Sequence, residues 1–229
     1  MEENEATISL KRKAAEVTSL LTTAYGYKER EGGNDPLDTL VGTILSQNTS
    51  DVNSHRAFES LKREYRSWAE LLNADTEEVA DVIRSGGLAE IKAQRIVGML
   101  RLLEAERGKL DLQFLGEMQV NEAERWLESI DGVGPKTAAI VLLFSFGKPA
   151  FPVDTHVFRV GKRLGLIGGG TSRERAQKVL GEIIPAEEYY NTHLNIIEHG
   201  RRTCRPRNPR CGACVVSGLC LHRRKLSKA

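Results

Sequence analysis

Ile130-Asp131-Gly132-Val133-Gly134-Pro135-Lys136-Thr137-Ala138 is the stretch on which the architecture turns. It interrupts the helical spacing of apolar residues between 122–130 and 136–146, and so predicts two helices joined by a tight turn. Its two glycines lack side chains. They can take backbone angles that other residues avoid, and they let main-chain N–H groups approach a phosphate at the start of the following helix. A turn of this kind can grip a nucleic-acid backbone without reading its sequence. An ordinary helix–turn–helix corner is the alternative, because Gly-x-Gly alone is a weak signal.

Lys136 falls in the first turn of the apolar helix after the glycines. There a cation faces the positive end of the helix dipole, a placement unfavourable for structure. The same field, with partial burial, would lower the lysine pKa and free a neutral amine to act as a nucleophile; contact with a phosphate is the competing role. Eighteen residues further on, Pro152-Val153-Asp154-Thr155-His156 places a carboxylate at another helix start. Asp154 reads as an N-cap. N–H donation to it would also keep it ionised, as a group that stabilises a sugar cation or activates an amine must be.

Outward from this centre the chain reads as helix after helix, with no sustained alternation of period two, so the fold class is all-α. Residues 6–24 carry Leu10, Ala14, Val17 and Leu21 at helical spacing. Asp35-Pro36, Ser50, Ser67, Thr76 and Asn121 look like helix starts, each a small polar residue with acid or proline in the turn that follows. Gly86-Gly87 and Gly168-Gly169-Gly170 break the pattern, the latter ahead of a helix over 172–184, and a long last helix is expected from about 186 toward 204.

All four cysteines fall near the C-terminal end: Cys204, six residues, Cys211, two residues, Cys214, five residues, Cys220. Clustered thiolates suit a soft metal, and Pro206, Pro209, Gly212 and Gly218 would let the backbone wrap around it. The spacing leaves zinc and an iron–sulfur cluster both open, although it lacks the paired Cys-x2-Cys knuckles of many zinc sites. From 199 to 229 there are nine Lys or Arg and no Asp or Glu, within a chain whose formal net charge is only +2. That block could neutralise phosphates, offset metal-bound thiolates, or simply be a solvated tail. Charged residues at 28% and hydrophobic residues at 40% fit a globular protein. The longest apolar run, seven residues, is far short of the roughly 20 a membrane span needs. The acidic Met-Glu-Glu-Asn-Glu start is unlike a secretory signal, so an intracellular protein is expected, in cytoplasm or nucleoid if prokaryotic and in the nucleus if eukaryotic.

The ordered set Gly132-Val133-Gly134-Pro135-Lys136-Thr137-Ala138, then Val153-Asp154-Thr155-His156, then His199-Gly200-Arg201-Arg202-Thr203-Cys204 with the cysteine spacing resembles the endonuclease III group of helix–hairpin–helix DNA glycosylases, over nearly the whole chain from Asp35 to Cys220. The resemblance implies two helical domains with DNA in the cleft between them. One is a six-helix barrel with the helix–hairpin–helix over 33–148; the other combines 1–32 with 149–229 and carries a 4Fe-4S cluster on Cys204, Cys211, Cys214 and Cys220. It implies a bifunctional glycosylase and abasic-site lyase of base excision repair, acting on a nucleotide flipped out of damaged double-stranded DNA, as a monomer and away from membranes. Lys136 would be the nucleophile that forms a Schiff base, and Asp154 its supporting carboxylate.

Gly132, Val133, Gly134, Thr137 and His156 would contact DNA, Gln47 and Asn48 would reach the vacated base stack, and Leu88 would be a wedge. Gln47-Asn48 stands where the common bacterial pattern has Ala-Gln, and Asp131 stands where proline usually precedes the hairpin. That loop somewhat resembles plant 5-methylcytosine glycosylases of the same superfamily. Oxidised pyrimidines are the expected substrate, with mismatched thymine, uracil or methylated cytosine as alternatives. A non-catalytic DNA-binding protein with a structural metal is the reading from another class.

Overall fold

Small polar residues start most of the helices. In the computed structural model, which describes residues 5–226, the side chains of Asp35, Ser50, Ser67, Asp154 and Ser172 each accept a hydrogen bond from a first-turn N–H. Those bonds satisfy donors that a helix leaves unpaired. Of the acidic Met-Glu-Glu-Asn-Glu start, residues 1–4, like 227–229, lie outside the described residues. Two starts differ from the sequence reading. Asp75, not Thr76, is a cap, its carboxylate accepting at 2.7 Å from the Glu77 N–H. The helix expected behind Asn121 begins at Val120, after Gln119, which makes no side-chain cap bond and so left no signal.

The fold is all-α, with twelve α-helices and no strand among the described residues. None of these helices is long and apolar enough to cross a membrane. The chain divides into two compact units, Met1–Glu31 with Pro149–Ala229, and Gly32–Lys148. α1 (Glu5–Tyr25) opens the first, and the chain returns there after completing the second.

The second unit holds α2 (Pro36–Ser46), α3 (Asp51–Glu64), α4 (Trp68–Leu72), α5 (Thr76–Val82), α6 (Ala89–Arg107), α7 (Val120–Glu128) and α8 (Pro135–Phe146). α2 packs on α3, α6 and α8, and α8 also packs on α7. α8 buries Ala138, Ala139, Val141, Leu142 and Leu143, and α2 buries Leu37, Leu40, Val41, Ile44 and Leu45. Each buried Leu, Ile or Val side chain contributes about 1.5–3 kcal/mol. This apolar pair fixes the two helix ends that matter most here, the C-terminus of α2 and the N-terminus of α8.

In the first unit, α9 (Thr155–Leu164), α10 (Arg173–Ile183), α11 (Tyr189–Arg202) and α12 (Leu221–Leu226) follow. α11 packs on α1 and α9. The single helix expected from about 186 is divided: Ala186–Glu188 forms a 3-10 turn, closed by Glu188 N–H to Pro185 O, before α11 begins. A Cβ on Gly200 would lie 2.9 Å from His156 Nδ1 and 3.1 Å from Arg159 Nη2, so the α9–α11 contact depends on a bare backbone at that position. Gly200→Ala should therefore destabilise the protein by about 1–3 kcal/mol as the helices are pushed apart. A thermal unfolding midpoint equal to wild type would show that they part at no cost.

Candidate nucleic-acid interface and metal centre

The turn between α7 and α8 closes with Val133 N–H donating to Ile130 O at 3.0 Å, and it places Gly132 at φ +76°. A Cβ at Gly132 would fall 2.3 Å from Arg95 Nε, so backbone conformation and space both demand glycine there. Gly134 caps α8 and Pro135 is its first residue, where a missing N–H costs nothing. Nothing lies within 4 Å of a Cβ built on Gly134, which leaves that backbone approachable. Lys136 is half-buried in the first turn, while Val133 and Thr137 are buried and belong to the core through their side chains. Thr137 and Ala138 donate back to Gly134 O at 2.9 and 3.0 Å, holding the first turn closed.

Arg95, on α6, is a residue that the sequence reading missed. Its Nη1 donates to Gln47 Oε1 at 3.2 Å, and Gln47 Nε2 donates to Gly132 O at 3.0 Å. Arg95 Nε, buried and without a hydrogen bond, pairs with Asp131 Oδ2 at 3.5 Å. Gln47 thus uses its amide to fasten the end of α2 to the hairpin. Asn48 beside it is exposed, at φ +55°, and Leu88 is 50% exposed at φ +51°. Among the described residues three non-glycines have positive φ, and these are two of them. Such a conformation costs about 1–2 kcal/mol per residue and gathers at functional loops.

Asp154 is the N-cap of α9, its Oδ1 accepting from the Val157 N–H at 2.7 Å. The half-buried His156 follows, with Nδ1 3.1 Å from Arg159 Nη2. Arg159 also donates to Gly200 O and Cys204 O, each at 3.0 Å, and ties the start of α9 to the end of α11. Burial lowers the Arg159 pKa, and the neighbouring Cys204 opposes that shift.

Cys204, Cys211, Cys214 and Cys220 line one pocket together with Arg163 and Arg210. No group of three or more His, Cys, Asp or Glu side chains among the described residues is placed to hold a single metal ion. Four soft donors around a cavity are the donor set of an iron–sulfur cluster as well as of a tetrahedral ion. Arg163 Nη1 donates to Cys204 Sγ at 3.3 Å and to Arg205 O at 2.7 Å, bringing positive charge to the thiolates. His199 is buried; its Nδ1 lies 2.9 Å from the Tyr25 hydroxyl and its Nε2 3.6 Å from Cys214 Sγ. Burial takes the His199 pKa down to about 4, which keeps the imidazole neutral at physiological pH. Burial, then the charge of the other three cysteines, pushes the Cys214 thiol up against the lowering effect of a hydrogen bond at Val216. A bound cation relieves that repulsion and releases protons.

Two substitutions probe these centres separately. Gly132→Ala should displace Arg95, break the Gln47 link and weaken duplex DNA binding by about tenfold, the worth of one or two hydrogen bonds; unchanged affinity in a binding titration would refute the role given to this turn. Cys211→Ser should remove most of the broad visible absorption of an iron–sulfur protein and lower the thermal midpoint. Retention of full iron content after that change would exclude Cys211 as a ligand.

The HhH-GPD superfamily of base excision DNA repair proteins matches residues 41–186, and the iron–sulfur binding domain of endonuclease III matches residues 204–220. A putative DNA glycosylase of Arabidopsis thaliana is 41% identical over 72% of this chain, which spans 56% of that relative's length. Endonuclease III of Thermotoga maritima is 36% identical over 85% of the chain and 86% of its own. A solved structure of a trapped endonuclease III–DNA covalent intermediate superposes with a TM-score of 0.79 at 29% identity, covering 95% of this chain and 98% of that one. The cofactor is a 4Fe-4S cluster. The hairpin, the cysteine pocket and these likenesses together make this chain a member of the endonuclease III family of helix–hairpin–helix base excision DNA glycosylases.

Proposed function

We propose that the protein is a bifunctional glycosylase and lyase that removes oxidised pyrimidines from duplex DNA and nicks the strand, with Lys136 as nucleophile. The observation that carries the reading is the position of Lys136, half-buried in the first turn of α8 directly behind the Gly132-Val133-Gly134 turn. A backbone that grips phosphate through that turn delivers the neighbouring sugar to the lysine. The neutral Nζ attacks C1′, the C1′–N bond breaks, and the base leaves with the bonding electrons and a proton. The sugar ring then opens to a Schiff base. Loss of a C2′ proton expels the 3′ phosphate, and hydrolysis of the imine frees the lysine. The trapped covalent complex of the endonuclease III neighbour supports a covalent step of this kind.

Asp154 is the carboxylate that supports positive charge on the sugar and the activation of Lys136. The Val157 N–H at 2.7 Å fixes one of its oxygens and favours the ionised form. Asn48 and Leu88, both exposed on left-handed backbone, are the side chains that enter the stack left by the flipped base, with Gln47 holding Asn48 out. Gly132, Val133, Gly134 and Thr137 contribute backbone N–H groups to one phosphate, and His156 meets DNA at the start of α9. The protein acts as a monomer. A second reading keeps the scaffold and changes the base to mismatched thymine, uracil or 5-methylcytosine; the Gln47-Asn48 pair favours it.

Borohydride should trap the wild-type protein covalently on duplex DNA with an abasic site, and Lys136→Ala should give no adduct. Asp154→Asn keeps an acceptor for the Val157 N–H while removing the charge, so it should slow base release by about 100-fold or more with little loss of stability. Asp154→Ala should lose the cap as well, at about 1 kcal/mol. An adduct formed at the wild-type rate by Lys136→Ala would end the lyase assignment. A panel of duplexes, each bearing one modified base, decides between the two substrate readings.

A further inference from the structure

Lys92 is 1% exposed, on the face of α6 that also buries Ala89, Ala93 and Ile96. Its Nζ donates to Leu45 O at 2.7 Å and to Gly86 O at 2.9 Å. Both carbonyls end a helix: Leu45 lies in the last turn of α2, and Gly86 is the last residue of the 3-10 turn Arg84–Gly86. Carbonyls at helix ends lack intrahelical partners and carry the negative end of the helix dipole. Two such ends give a buried ammonium the compensation that a carboxylate would otherwise supply. Burial lowers the Lys92 pKa, the sign of a charge taken out of water.

The segments leaving those two carbonyls are the ones of interest. From Leu45 the chain passes Ser46 and Gln47 to Asn48, at φ +55°. From Gly86 it passes Gly87, at φ +69°, to Leu88, at φ +51°. Each exposed tip is thus within three residues of one shared cation. Left-handed backbone at Asn48 and Leu88 persists only where the surroundings over-determine it. Gly86 permits the close approach: a Cβ there would lie 3.1 Å from Ala57 Cβ and 3.9 Å from Leu45 O.

We propose that Lys92 is a positioning residue that locks the Gln47-Asn48 loop and the Leu88 loop in one fixed relation, so that both enter a DNA duplex as a single unit. The proposal deepens the reading of Asn48 and Leu88 as duplex-probing side chains and rests on it. Lys92 touches neither DNA nor the reacting sugar; it acts through the two loops.

The test compares one abasic site in duplex and in single-stranded DNA, because a single strand presents no stack to be entered. Lys92→Met keeps the apolar stem and removes both hydrogen bonds. It should slow borohydride trapping on duplex by about tenfold or more, the loss that charge-assisted hydrogen bonds predict. On the single strand the change should stay within about threefold. Leu88→Ala, added to Lys92→Met, should cost far less on duplex than it does alone, since the loop is already misplaced. An equal loss on both substrates, or full additivity with Leu88→Ala, overturns the proposal and leaves Lys92 a purely structural group. If Lys92→Met fails to keep its visible absorption and thermal midpoint, Lys92→Gln, which can still serve a carbonyl, is judged by the same ratio. If wild type forms no adduct on either substrate, the lyase reading fails instead. The preference for duplex over single strand in binding a stable abasic analogue then decides the proposal: Lys92→Met must reduce it.

Discussion

The presentation of the hairpin depends on an arginine lying against a position that has no side chain. Arg95 occupies the space where a Cβ on Gly132 would be, and from there it reaches Gln47 and Asp131. The exposed Asp131 carboxylate contributes little through charge alone. The Gln47 amide matters more, because it satisfies Gly132 O from one end and Arg95 from the other. α6 therefore carries the hairpin on one residue and the two neighbouring loops on another, three positions earlier. With α2 and α8 fixed by their apolar contact, α6 determines how the irregular segments leave them.

Cations bound to carbonyl oxygens recur in both units. Lys92 holds Leu45 O and Gly86 O; Lys148 holds Met118 O at 2.6 Å; Lys13 donates to Leu164 O; Arg159 holds Gly200 O and Cys204 O. Several of these carbonyls lie at or near the ends of helices, where dipoles favour positive charge. A lysine or arginine used this way lets a helix stop without a further turn of regular structure. Loops that start at such a stop can take strained shapes, as at Asn48 and Leu88. Hydrophobic packing alone would hold the helices but not aim their ends.

How legible each feature was in the sequence follows from the range of the interaction that fixes it. The caps at Asp35, Ser50, Ser67, Asp154 and Ser172 act within three residues, and the all-α class follows from apolar spacing along each helix; both could be read directly. α6 has no cap side chain at its start, since Leu88 sits there in left-handed backbone, and only the Gly86-Gly87 break marked its beginning. Lys92 did leave one: a lysine spaced three and four residues from Ala89 and Ile96 lies on the buried face. Its partners, 47 and 6 residues away in the chain, could not be inferred from that spacing. Gln47 shows the same limit. The resemblance implied a group that reaches outward, whereas its amide is spent on Gly132 O and Arg95, and only the three-dimensional fold brings those two within reach.

The cysteine segment is the place where packing could not have served. Between Cys204 and Cys220 only Val216 and Cys220 are buried, and regular structure is confined to the short 3-10 turns Cys211–Ala213 and Ser217–Leu219. So little apolar area cannot offset the entropy of ordering 17 residues, at about 1–2 kcal/mol each. Metal–thiolate bonds can, because their formation is itself folding free energy for a small loop. The arginines around the pocket then have two functions: Arg163 offsets thiolate charge at Cys204 and anchors the backbone at Arg205 O and Pro206 O. Of the nine cations after His199, Arg210 and Arg223 also line the pocket, so part of that positive block lies beside the thiolates.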